Sequence, residues 1–291
     1  MKIGYCSWIL FGKHLPEIFD FLHAEGCECT SLLQGVMGVD RVEKAEAAAV
    51  LRQHGMTLCF HGNVQGHVLP EAAGFDEDFL SRLYDEIDWW RGETGGLLYD
   101  CFSDSLSSPS LGGTPEARLA LSYELFRRHE ARFCGTGVRY GIENTCGLPD
   151  PCSGACYNCA ARFREAYGLF GGGQGEGILL DIGHAHVASR GQGIELGSYI
   201  DSIPFEIGEV HVTDNNGLAD EHLRPGLGNL DFAALGAALA RRGFDGPVNL
   251  EVCNDLPKGR FGFDLSDAAD RDSVRAMIAE LRRIVGGWAA T

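Results

Sequence analysis

The stretch EVHVTDNNGLADEHLRPGLGNLDF, Glu209–Phe232, begins as an apolar strand that carries His211. It passes into a loop holding Asp214, Asp220 and His222. The loop closes on Pro225, Gly226 and Gly228 and enters a helix at Asp231, where Phe232, Leu235 and Leu239 form one apolar stripe. Carboxylates and imidazoles packed this densely into a glycine-rich loop make a poor core and a good metal site. A strand that hands such a loop to a helix is one βα unit, and the unit recurs along the chain.

Short apolar runs at Lys2–Trp8, Glu28–Leu33, Thr57–His61, Gly96–Phe102, Val138–Asn144, Gly177–Ile182, Glu209–Thr213 and Val248–Val252 read as strands. Segments of helical period lie between them. The clearest is the last, with Val274, Met277, Ile278, Leu281, Ile284 and Val285 on one face; the sixth, around Tyr199–Ile203, is weakly marked. Eight alternating units predict an α/β fold, a closed (β/α)8 TIM barrel, as a single domain over residues 1–291. The links from helix to strand are short and marked by Gly26, Gly55, Gly95, Gly243 and Gly246. Those from strand to helix are long and polar, which places them on the functional face of such a barrel.

Composition narrows the partners. A chain of 291 residues, 45% hydrophobic, can bury a large core. Its formal charge of −17 repels phosphate backbones and anionic membranes, which disfavours nucleic acid. The opening MKIGYCSWIL reads as a first strand rather than a basic leader, and no apolar run approaches the roughly 20 residues of a membrane span. A cytoplasmic protein without a membrane partner is expected. Eleven cysteines, an odd number, fit reduced thiols or metal ligands better than a disulfide framework.

Four polar residues end the last four apolar runs: Glu143 in YGIENT, Asp181 in LLDIGHAH, His211 in EVHVTDN and Glu251 in VNLEVCN. Their separations of 38, 30 and 40 residues suit successive βα units, so neighbouring rim positions bring them together. Three carboxylates and one imidazole suit a single divalent ion, Mn²⁺, Mg²⁺, Co²⁺ or Zn²⁺. Such an ion chelated by a hydroxyketone acidifies the carbon-bound proton, and a carboxylate can move that proton through an enediolate. Each residue taken singly is equally an ordinary polar group at a strand end; the set of four is what points to a metal.

The motifs GIEN, LDIGHAH, HVTDN with its following D-x-H-x3-G-x-G, and NLEV resemble, in order and spacing, those of the xylose isomerase-like TIM barrels. That superfamily joins sugar isomerases and epimerases to endonuclease IV-type apurinic endonucleases. The resemblance covers the whole barrel, with its specific motifs between Glu143 and Glu251. It implies that Glu143, Asp181, His211 and Glu251 hold one catalytic metal and that Glu143 and Glu251 form the acid/base pair. It implies that His184 contacts substrate or, with Asp220 and His222, binds a second metal. His61, His222 and Arg224 are further candidates for substrate contact. The endonuclease branch also needs a histidine at the fourth strand end, where GLLYDCFSDS has none. The sequence therefore favours a small sugar or polyol substrate, and a homo-oligomer is compatible with it. The alternatives are a lyase resembling inosose or dehydroshikimate dehydratases, an endonuclease IV-like phosphodiesterase, and a non-catalytic ligand-binding barrel.

Cys146, Cys152, Cys156 and Cys159 crowd the loop after Glu143, the last three with C-x3-C-x2-C spacing. The cluster reads either as an additional zinc or iron–sulfur site or as a loop of reduced thiols.

Overall fold

A computed structural model describes the chain except residues 63, 65–66, 70–73, 104–113, 147–156, 171–174, 256–259 and 289–291. Eight parallel strands form a closed barrel: Lys2–Cys6, Cys29–Leu33, Thr57–Gly62, Leu98–Ser103, Arg139–Glu143, Glu176–Asp181, Ile207–Val212 and Pro247–Leu250. Each pairs with its neighbours in sequence, and Lys2–Tyr5 against Pro247–Leu250 closes the ring. All eight expected strands are present. The first ends at Cys6, before a short 3-10 turn over Ser7–Ile9, and the eighth ends at Leu250, which leaves Glu251 on the rim.

Helices Leu15–Ala24, Arg41–His54, Glu77–Glu93, Pro115–Phe133, Ala160–Phe170, Phe232–Arg241 and Ala268–Trp288 surround the barrel. The sixth unit departs from the sequence reading. Its first helix is Ile182–Gln192, which starts directly at the strand end, and Leu196–Asp201 follows as a second. Ile182, Ala185, His186, Val187, Ala188 and Ser189 are all buried, so this helix carries no polar stripe to betray its period. Among the described residues no helix is long and apolar enough to cross a membrane.

The barrel interior is tight around one aromatic ring. Phe102 is fully buried, and a β-carbon on Gly141, Gly177 or Gly208 would meet that ring. A β-carbon on Gly141 would also collide with the backbone carbonyl of Gly177 on the next strand. Gly141 lies two residues before Glu143, so this contact also sets how the fifth strand delivers its carboxylate. Gly141→Ala should therefore cost about 1–3 kcal/mol or more, because a backbone carbonyl cannot yield as a flexible side chain can. Thermal unfolding of the variant checks this, and an unchanged midpoint would show that the fifth and sixth strands are not packed this closely.

Candidate metal centre

Strand register assembles the centre. His211 pairs with Asp181 on one side and with Asn249 on the other, and Glu251 lies two residues beyond Asn249. Glu143 ends the adjacent fifth strand. One ligand atom from each of Glu143, Asp181, His211 and Glu251 lies within 4.8 Å of the others, and all four residues are buried. The quartet expected from sequence is thus brought together.

Its electrostatics fit a cation. Asp181 caps helix Ile182–Gln192 by accepting from His184 N at 2.7 Å, while its Oδ2 is buried with no hydrogen-bond partner. Burial, reinforced by Glu251 and Glu143, pushes the Asp181 carboxyl up to about 7. Burial would raise Glu143 as well, but His61 Nε2 at 3.1 Å and His184 Nδ1 at 3.4 Å hold it below its ordinary value. Burial likewise opposes ionisation of Glu251, and His211, with Nδ1 at 2.9 Å, outweighs it. Three carboxylates, an imidazole and one orphaned carboxylate oxygen match the donor set of a divalent ion.

Asn144 braces the quartet: its amide donates to Asp181 O at 2.9 Å, and its carbonyl oxygen accepts from Asp181 N at 2.8 Å. Nothing in GIENT marked it beyond its place after Glu143.

The loop after the seventh strand is folded by Asp214. Its carboxylate accepts from the backbone N–H of Asn215, Gly226, Gly228 and Leu230, at 2.9, 2.8, 3.0 and 3.2 Å. The glycines of PGLGN thus spend their N–H groups on Asp214. A β-carbon on Gly228 would strike that carboxylate, which is one reason for glycine there. Asn215 adds bonds to Gly183 O, Gly217 N and His186 Nδ1.

This loop presents His222, which has a positive φ of 47°, and Asp220. Asp220 Oδ2 lies 3.2 Å from His184 Nε2 and 2.9 Å from His222 Nε2. The Nδ1 atoms of the two rings face backbone carbonyls instead, His184 that of Asn144 at 2.8 Å and His222 that of Glu251 at 3.0 Å. A carbonyl only accepts, so each Nδ1 carries a proton and each Nε2 of a neutral ring aims its lone pair at Asp220. The trio is satisfied by two protonated rings or by a second cation. Without a cation, burial works against charge on both rings. Asp181 and Asp220 nevertheless raise His184, and Asp220 and Cys253 raise His222.

Other candidates fall differently. Arg224 stacks its guanidinium 5.8 Å over the Phe263 ring. At the fourth strand end, Ser103 Oγ lies 2.7 Å from His129 Nε2, and Tyr84 OH lies 3.0 Å from His129 Nδ1. His129 is therefore a buried bracing residue, and the histidines that face Glu143 are His61 and His184. Cys152 and Cys156 lie outside the described residues. Cys146 is half-buried and Cys159 buried, and neither forms a disulfide with a described residue.

Residues 19–283 match the family described as the xylose isomerase-like TIM barrel. A 78-residue stretch is 41% identical to an uncharacterized protein of Methanocaldococcus jannaschii, covering 27% of this chain and 26% of that one. A xylose isomerase domain protein from Alicyclobacillus acidocaldarius superposes with a TM-score of 0.72 at 16% identity, over 99% of both chains. D-psicose 3-epimerase from Clostridium cellulolyticum, solved with D-tagatose, gives 0.72 at 15% identity, over 98% of this chain and 99% of that one. 3-Keto-D-glucoside 4-epimerase from E. coli gives 0.70 at 19% identity, over 97% and 99%. At these identities the solved structures show the fold.

Asp181 supplies a pH test. Its folded-state pKa, about 7, lies above its ordinary value, so below that pH the metal-free protein holds a proton that an incoming ion must displace. Metal affinity should weaken as pH falls below about 7, by about tenfold per unit for each proton released. Calorimetric titration with Mn²⁺ in buffers of different ionisation enthalpy counts those protons; uptake with no proton release near pH 6 would contradict the assignment.

Proposed function

Since the chain belongs to the xylose isomerase-like TIM barrel family, we propose that it is a divalent-metal-dependent isomerase or epimerase of a small sugar or polyol. The observation that carries the reading is the pairing of Glu143 and Glu251 in one buried quartet, each flanked by its own histidines. The bound ion would supply Lewis acidity toward a carbonyl and its adjacent hydroxyl, and Glu143, Asp181, His211 and Glu251 would hold it.

The protein's own groups do the rest. Both glutamates are held in the ionised form, so either can accept a carbon-bound proton at neutral pH. Removal of the proton beside the carbonyl by Glu251 leaves the substrate as its enediolate. Glu143, having taken up a proton from solvent, returns it to the opposite face of the same carbon to give the epimer, and Glu251 then releases the proton it removed. Return to the neighbouring carbon, with the hydroxyl proton passing the other way, gives the ketose–aldose isomer. His61 and His184 line the site beside Glu143, and His222 lines the other side beside Glu251.

The Asp220 trio supports a second reading, a phosphodiesterase of the endonuclease type, because it forms a second candidate metal site. Against that reading stand the net charge of −17 and the fourth strand end, where Ser103 is tied to His129 instead of presenting a ligand. Metal analysis of the purified protein separates the two readings. One exchangeable Mn²⁺ or Co²⁺ per chain is expected, and three zinc ions per chain would favour the phosphodiesterase. A lyase would share the first proton transfer and differ in losing a hydroxyl, which product analysis reveals.

Glu251→Gln keeps the size and one ligand oxygen but removes the charge and the basic site. The fold should survive, since Glu251 lies past the last barrel strand. Metal affinity should fall, while exchange of the substrate's carbon-bound proton with deuterated water should slow roughly 10²–10⁴-fold at saturating metal. Wild-type exchange by the metal-saturated variant would remove Glu251 as the base. A wild-type protein that exchanges no proton of any ketose offered would favour a barrel that only binds its ligand.

A further inference from the structure

Glu209 has no role in the proton transfers above. It is fully buried inside the barrel, two residues before His211 on the seventh strand, so both side chains point inward. A buried carboxylate is costly unless it is paired, and an apolar side chain is what a barrel interior ordinarily holds at such a position. Among the described residues no lysine or arginine forms an ion pair with it. Its Oε1 lies 3.0 Å from His211 Nε2 and accepts from Asn249 Nδ2 at 2.7 Å. Asn249 is held in turn: its Oδ1 accepts from Cys29 Sγ at 3.5 Å, and it occupies space that a β-carbon on Gly4 would fill. Three strands thus converge to fix one carboxylate oxygen against one imidazole nitrogen.

The other ring nitrogen, Nδ1, faces the quartet, 2.9 Å from Glu251 Oε2. An imidazole that binds a cation must offer an unprotonated nitrogen, and the group on the far nitrogen decides which one that is. We infer that Glu209 is a positioning residue: by accepting the Nε2 proton of His211 it commits Nδ1 to the metal and locks the plane of the ring. Asn249 holds Glu209 in the required rotamer. The inference rests on reading the quartet as a metal site and does not depend on which sugar reaction follows.

The test compares two side chains close to glutamate in size. Glu209→Leu removes the acceptor, and Glu209→Gln keeps an accepting oxygen without the charge. Co²⁺ titration followed by visible absorption should show binding weakened roughly 10–100-fold in the leucine variant, with glutamine between it and the wild type. In zinc-loaded protein labelled with ¹⁵N-histidine, the wild type and the glutamine variant should carry the His211 proton on Nε2. A purely structural role would lower the unfolding temperature of the metal-free protein and leave Co²⁺ affinity unchanged. Wild-type Co²⁺ affinity in a folded leucine variant, or a His211 proton on Nδ1, would overturn the inference. If the leucine variant does not fold, wild-type affinity in the glutamine variant would overturn it equally. A wild-type protein that takes up no Co²⁺ would sink both this inference and the metal reading. A protein that binds Co²⁺ normally but exchanges no substrate proton would sink only the proposed reaction.

Discussion

Three carboxylates buried within 4.8 Å of one another, and of an imidazole, repel and lose hydration together, and much of this molecule is arranged around that cost. His61 and His184 face Glu143, and His211 faces Glu251. Asp181 is left with a backbone N–H on one oxygen and nothing on the other, which is why it alone of the three is pushed up. The shortfall in positive charge is concentrated on one residue between its neighbours. A divalent ion removes it without altering the backbone, and no single protonation does as much, since a proton on Asp181 leaves Glu143 and Glu251 ionised.

The scaffold keeps these groups from relaxing apart. The glycines around Phe102 let the fifth, sixth and seventh strands close in, and Asn144 clamps Asp181 by both its amide and its carbonyl oxygen. On the open face, Asp214 turns a glycine-rich loop into a fixed structure by gathering four backbone N–H groups. A carboxylate receiving that many donors is fully satisfied, so Asp214 holds the loop. The positive φ of His222 is a local strain that the surrounding bonds sustain, and it turns the imidazole toward Asp220.

The sequence shows the barrel and the quartet because both follow from position. A run such as VNLEV has apolar residues for the sheet and one polar residue at its end, and that pattern survives without any knowledge of neighbours. What it hides depends on contacts between distant strands. Glu209 and His211 alternate correctly along EVHV, yet whether Glu209 faces an asparagine, a lysine or solvent is set by the eighth strand. Asn144 looks like any loop residue until Asp181 stands beside it. Helix Ile182–Gln192 is invisible to periodicity because most of its surface is buried. The cysteines divide in the same way. Cys6, Cys27, Cys29, Cys59 and Cys101 are buried small side chains whose thiols burial pushes up, so they stay protonated and pack as apolar groups.

Glu251 joins the two clusters, and it does so through different atoms. Its carboxylate faces His211 in the quartet, while its backbone carbonyl receives His222 of the trio. Because the carbonyl fixes the His222 tautomer, the loop that carries Asp220 is tied to the residue that also faces the substrate's acidic carbon in the proposed reaction. A displacement of Glu251 would tilt His222 and loosen its contact with Asp220. The quartet and the His184–Asp220–His222 trio are therefore tied together through one residue. A chain that had kept the quartet but lost the Asp214 turn would keep the four clustered side chains and lose the fixed placement of Asp220 and His222 beside them.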